Sequence, residues 1–249
     1  MSIPVIEISG VSKIFGSGRK RNQALRDLSL IISRGEVFGF LGPNGAGKST
    51  TIKLLLGFQK PDSGTLRVLG HIVGHEEFRH RIGYLSEFPI FYDHLTAWET
   101  LVLSGRLSGM SNHEMNQRIP MLLERMTLTD VANRRVGGFS KGMKQRLGMA
   151  NALIHDPEVL IFDEPMSGLD PMGRHQIKGL IAELKQDGKT IFFSSHILSD
   201  IEALCDRIGV INKGVLLYTG KLGDFVVAGG SLEECFVAVI EEANHASFA

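Results

Sequence analysis

The chain has 249 residues, 43% hydrophobic and 22% charged, and its 27 basic side chains balance its 27 acidic ones. That supplies the core of one domain, or of one domain with an inserted lobe, while the balanced charge gives no polyelectrolyte attraction, so nucleic acid is not an expected partner. No apolar run approaches the ~18 residues that span a bilayer, MSIPVIEISG has neither the basic nor the apolar region of a signal peptide, and Cys205 and Cys235 form no disulfide framework or metal spacing, which points to a reducing cytoplasm.

In chain order, short β-type runs come first: VIEISGVSKIF, ALRDLSLIIS, GEVFGFLG and GTLRVLG, interrupted by one helix at GKSTTIKLLLGF. The insert GSGRKRNQ places Arg19, Lys20 and Arg21 between the first two strands. A solvated hairpin tip is the plain reading, and contact with phosphate or acidic headgroups the sharper one. From about Leu95 to Arg134 the pattern is helical. Ser111 and Glu114 make a capping box, and Pro120 is expected to kink or divide the helix that follows. GGFSKGMKQRLGMANALI then reads as a helix N-terminus suited to an anion, with Met143, Leu147, Ala150 and Ile154 as its buried stripe. Strand and helix alternate afterwards: EVLIFDE, PMGRHQIKGLIAELKQDG, KTIFFSSH, a short helix and RIGVIN. Ile177, Leu180, Ile181 and Leu184 share a helix face, and Gly188 is a C′ stop. Such alternation predicts an α/β fold around a parallel sheet with a mostly helical insertion. A hairpin at KGVLLYTGK precedes an ambiguous tail.

GPNGAGKST fits G-x-x-x-x-G-K-[ST] between a strand and a helix, at Gly42, Gly47, Lys48 and Ser49. Backbone N–H groups converge on phosphate oxygens only where side chains do not block them, and the helix start adds positive potential. Lys48 would reach the β- and γ-phosphates and the Ser49 hydroxyl would ligate Mg²⁺. The spacing predicts a nucleoside triphosphate site. VLIFDEP puts Asp163 and Glu164 at a strand end, where alternation gives adjacent carboxylates separate tasks. Asp163 would hold the Mg²⁺ shell, and Glu164 would orient and deprotonate the attacking water. His196 ends another apolar strand, within reach of a γ-phosphate in this context. His71, His75 and His80 stand in a loop composition that offers no metal geometry.

Together these motifs resemble the nucleotide-binding subunits of ATP-binding cassette (ABC) transporters, from about Val5 to Tyr218, in motif order as well as identity. The resemblance implies a P-loop NTPase core with a parallel sheet, an antiparallel β subdomain and an inserted α-helical subdomain. Residues 1–249 would form one such domain. Its core with the β subdomain would cover about 1–86 and 155–220, the helical subdomain about 87–154, and the tail about 221–249. It implies that Phe15 stacks on adenine and that Gly42, Pro43, Asn44, Gly45, Ala46, Gly47, Lys48, Ser49 and Thr50 form the Walker A cradle for ATP. Asp163 and Glu164 would be the Walker B pair, SGLDP with Asp170 the D-loop, and His196 the switch histidine. FSKGMKQ stands where the family keeps its LSGGQ signature. There Ser140 and Gly142 would face the γ-phosphate held by a second nucleotide-binding subunit, in a head-to-tail pair with two sandwiched nucleotides.

Two departures mark this chain. Glu87 replaces the usual glutamine as a metal ligand and adds charge near Asp163 and Glu164. Lys141 and Met143 replace a glycine and a glutamine of the signature, the lysine bringing positive charge toward the phosphate-facing turn. Both variants resemble the exporter branch served by a separate permease chain. The leading expectation is an ATPase at the inner face of the cell membrane, cytoplasmic and peripheral through its transmembrane permease, driving export by ATP-dependent dimer closure. The alternative is a soluble ABC ATPase acting as a mechanical switch, although the second cassette or long coiled coil of such proteins is not in this sequence. A non-enzymatic ATP sensor is a third reading, opposed by the presence of Glu164 and His196.

Overall fold

The computed structural model describes residues 4–17, 21–74, 78–226 and 230–246. The first half contains β1 (Pro4–Phe15), β2 (Asn22–Ser33), β3 (Val37–Leu41), α1 (Lys48–Leu55), β4 (Ser63–Val68), β5 (His71–Ile72), β6 (Ile82–Leu85), α2 (Ala97–Leu107) and α3 (Asn112–Arg125). The second contains α4 (Lys141–Leu153), β7 (Val159–Asp163), α5 (Pro171–Gln186), β8 (Thr190–Ser195), α6 (Leu198–Leu204), β9 (Arg207–Asn212), β10 (Val215–Lys221), α7 (Leu222–Phe225) and α8 (Leu232–Ala246). Two compact units result, one from Met1–Phe78 with Leu184–Ala249, the other from Arg79–Glu183. The fold is α/β with parallel and antiparallel sheets, as the alternation predicts. No helix among the described residues is long and apolar enough to cross a membrane. Arg19, Lys20 and His75 lie outside the described residues, and Arg21 precedes β2.

In the first unit an antiparallel sheet runs in the order β2-β1-β4-β5. Beside it β3 pairs in parallel with β8 on one side and β9 on the other, and β10 returns antiparallel to β9. Every residue of β3 and β8 is buried, as expected of parallel strands covered on both faces. Phe38 stacks on Phe192 with ring centroids 6.0 Å apart, and Phe40 leans on the same ring. The β9–β10 turn is Lys213–Gly214, both with positive φ, which is the twist a two-residue hairpin needs. Gly188, at φ 77, closes α5 as expected, the Lys189 amide donating back to the Leu184 carbonyl.

In the second unit β6 pairs in parallel with β7, from Ile82↔Val159 to Leu85↔Phe162. The Ser111–Glu114 capping box forms, with amide-to-side-chain distances of 3.3 and 2.7 Å. A second box, Thr96–Glu99, opens α2. Pro120 does not divide its helix: α3 is continuous across it. The carbonyl that loses its donor belongs to Asn116, exposed like Pro120 itself, so water can satisfy it while Met115, Ile119, Leu122 and Leu123 bury the opposite face. The expected stripe on α4 also needs correction. Leu147, Ala150 and Ile154 are buried, but Met143 is only half-buried, and Gln145, Gly148 and Met149 join the buried face. The first turn of the helix meets a loop rather than the apolar core, which shifts the stripe.

Candidate functional site

In the first unit the segment between β3 and α1 is a backbone-only cradle. A Cβ at Gly42 would come within 2.3 Å of the Ile211 carbonyl oxygen, so no other residue fits there. Gly47, the α1 N-cap, has φ 117, and a Cβ on it would lie 2.8 Å from the Ala24 carbonyl. Gly45 is also left-handed, at φ 78, but open on its outer side. Ala46 closes the loop by donating to Pro43 O at 3.1 Å. The buried Lys48 ammonium donates to Gly42 O at 2.6 Å, which holds its charge at the loop. Ser49 and Asn44 are exposed, with Pro43 and Thr50 half-buried. An open helix start of this kind offers its first amides to an anion.

One neighbour of the cradle has no motif signature. Gly214, at the β9–β10 turn, donates its amide to Ala46 O at 2.8 Å and accepts from Arg26 N at the same distance. His196 is exposed, one residue beyond the end of β8. Because Leu41 pairs with Ser195, it stands at the same carboxyl end of the sheet as the start of the phosphate loop. Phe15 closes β1 with its ring exposed, and the Lys13 ammonium lies 5.6 Å from its centroid. Asp62 fixes this strand end, accepting from Ile14 N at 2.6 Å and Lys13 Nζ at 3.2 Å. The amide bond first, then the lysine, hold the Asp62 carboxyl below its usual range.

In the second unit Asp163 is the last residue of β7 and Glu164 the next, and both side chains are more than nine-tenths buried. Glu164 adopts φ 49, a conformation costly to a non-glycine residue. Burial, and then the charge of Asp163, push the Tyr84 phenol on β6 up to about 12. Glu87 is half-buried, two residues beyond β6. Ser140 is the α4 N-cap, its Oγ accepting from Met143 N at 3.2 Å. A Cβ at Gly142 would meet only ordinary contacts, the nearest being Gly168 O at 3.5 Å. Asp170 caps α5, its Oδ1 accepting from Gly173 N at 2.8 Å, with Pro171 as the first helical residue. The Lys141 ammonium donates to Ser167 Oγ at 3.2 Å and lies over Phe88. His71 lies in β5 of the first unit and His80 in a short turn at 79–81 of the second.

A profile described as ABC transporter matches residues 25–167. The chain is 46% identical over 227 residues to an ABC transporter ATP-binding protein of Nostoc sp., covering 89% of this chain and 68% of that one. It is 43% identical to Nod factor export ATP-binding protein I of Rhizobium sp., over 89% of this chain and 72% of the relative. Among solved structures, an ATP-binding subunit of an ABC transporter superposes with a TM-score of 0.86 at 34% identity, covering 94% of this chain and 99% of the other. A dimeric cassette in a post-hydrolysis state, bound to ADP and Pi, superposes with a TM-score of 0.81 at 26% identity, over 87% and 98% of the two chains. With its phosphate cradle and acidic strand end in place, the chain belongs to the ABC transporter family as an ATPase of the ATP-binding-cassette type.

Proposed function

We propose that this chain is the ATP-hydrolysing subunit of an exporter, that it closes on ATP as a head-to-tail pair of cassettes, and that it works through a separate membrane permease. The observation that carries the reading is the cradle in which Gly42 and Gly47 admit no side chain and Lys48 holds its charge at the loop. Gly42 to Thr50 would bind the phosphates of ATP, with Phe15 against the adenine. Ser49, Asp163 and Glu87 are hard oxygen donors, the set Mg²⁺ takes, and Mg²⁺ when bound would neutralise charge on the phosphate oxygens. Glu164 would take the proton of the attacking water and His196 would contact the γ-phosphate.

Gly142 supports the pairing. The described packing would tolerate a Cβ there and so does not itself call for a glycine, which is compatible with a demand from a partner. An unobstructed amide beside the Ser140 hydroxyl, facing the partner's phosphate, meets that need, and Asp170 would border the same interface. The dimeric neighbour with ADP and Pi supports the arrangement. Export is supported by the Nod factor export relative. A permease is supported by the apolar run Phe88–Tyr92, where Ile90 is 92% exposed, beside a groove of about 530 Å³ whose lining includes Tyr92, Leu95, Trp98 and Val102.

The variant Glu164→Gln tests the reading. It should bind ATP, lose hydrolysis by about 10²–10⁴-fold, and elute as a dimer when ATP is present. Normal turnover would refute the base, and a strictly monomeric ATP-bound variant would refute the pairing. Co-sedimentation with membranes only when the permease is co-expressed tests the partner.

A further inference from the structure

Helix α4 holds the segment after β7 through two side chains one turn apart. Gln145 is 1% exposed, and its Nε2 donates to Pro165 O at 3.1 Å and to Glu164 O at 3.4 Å. Residues four apart share a helix face, and at the other end of this face stands Lys141. Its ammonium donates to Ser167 Oγ at 3.2 Å and lies 5.0 Å from the Phe88 ring centroid. Its aliphatic stem runs so close over Gly168 that a Cβ there would sit 2.5 Å from Lys141 Cδ and Cε. Gly168 has φ 74 and Glu164 φ 49, so the segment between them bends at both ends. A left-handed glutamate persists only where surrounding contacts over-determine it. Gln145 and Lys141 provide such contacts from one helix.

We propose that Lys141 and Gln145 are positioning residues of the ATPase, clamping residues 164–168 to the first turn of α4 so that the Glu164 carboxylate is aimed from the signature helix. The proposal rests on the reading of Glu164 as the base. The two rungs differ in kind. Gln145 is a buried neutral donor to backbone carbonyls, and breaking it takes that donor from Pro165 O in a dry setting, while Glu164 O keeps the Ser167 amide at 3.0 Å. Lys141 is an exposed cation that also ties in Phe88, the residue after Glu87. Movement of the Ser140 turn is thereby passed to Glu164 and to the Glu87 segment together. The lysine replaces a glycine of the usual signature, so the second rung is particular to chains with this substitution.

Steady-state hydrolysis of MgATP by the full chain tests the clamp. Lys141→Met keeps the stem and removes the charge. It should lower kcat about 3- to 10-fold, the range of a contact-coupling energy, with KM for ATP unchanged and little shift in thermal midpoint. Lys141→Arg should restore kcat, since a guanidinium can still donate to Ser167 and stack on Phe88. Ser167→Ala should also lower kcat, and the Lys141→Met/Ser167→Ala double variant should be no worse than Lys141→Met. Wild-type kcat in Lys141→Met, a loss that arginine does not rescue, or additive losses would each overturn the proposal. Gln145→Met should lower kcat further, but it disturbs a buried site, so the lysine series decides. If Glu164→Gln is inactive while Lys141→Met is normal, the clamp alone falls. If Glu164→Gln turns over normally, the assignment of the base falls, and the clamp with it.

Discussion

His155, between α4 and β7, shows how one side chain's surroundings set a property of the whole chain. Its Nε2 lies 3.1 Å from Ile82 O, which makes Nε2 the protonated nitrogen, and its Nδ1 is buried with no hydrogen-bond partner among the described residues. Burial holds the imidazole below its ordinary value of 6.5, outweighing the Ile82 carbonyl that favours the charged form, and Arg118 adds to the depression. As pH falls below about 6.5 the unfolded chain takes the proton before the folded one does. Stability is therefore present above that pH and is lost as the pH drops through the folded value. The urea midpoint should decline as the pH is lowered through and below about 6.5. In His155→Gln, which can still donate to Ile82 O but does not titrate, that decline should shrink. An equal decline in both proteins would remove His155 from the explanation.

At the scale of elements, α4 lies close on β6 because both surfaces are thinned by glycine. A Cβ at Gly83 would come within 2.2 Å of Ala152 O, and one at Gly148 within 2.6 Å of Leu85 Cδ1. Gly83→Ala must push backbone away from backbone, at a cost of about 1–3 kcal/mol, measurable as a lower denaturation midpoint with unchanged m-value. An unaltered midpoint would mean that the helix slides freely on the strand. This pair also shows where sequence reading ends. Gly47 and Lys48 were legible because a phosphate cradle demands its glycines and its lysine at fixed spacing along one stretch of chain. The strands β3, β7 and β8 were legible as unbroken apolar runs. Gly83 was not, since the need for it arises from a helix seventy residues away in sequence, by the ~70 separation of Gly83 and Ala152. Gln145 stayed hidden for the same reason, as its partners are carbonyls, which have no sequence identity. The Thr96–Glu99 box has the same spacing as Ser111–Glu114 and is equally readable from the sequence. Pro120 misled because its exposed position, which makes it tolerable, is set by tertiary burial of the opposite face.

At the scale of the molecule, the first unit is assembled from both ends of the chain. Its last helix, α8, is amphipathic and buries Leu232, and Asn244 accepts from Asn212 Nδ2 at 3.3 Å at the end of β9. From Asn212 the chain turns through Lys213 to Gly214, whose amide supports Ala46 in the phosphate loop. Removing residues 230–249 should therefore raise KM for ATP as well as lower the thermal midpoint. A lower midpoint with unaltered KM would confine α8 to a role in stability.

The Gly214–Ala46 bond also orders events in time. β3 is flanked by β8 and β9, and the loop that follows it leans on a turn made later still. A ribosome that has released only the first half of the chain has produced every residue of the phosphate loop but neither strand that flanks β3 nor the Gly214 turn. Contacts so distant in sequence form late. The nascent protein accordingly gains its grip on nucleotide near the close of synthesis, after the strand on either side of β3 has emerged.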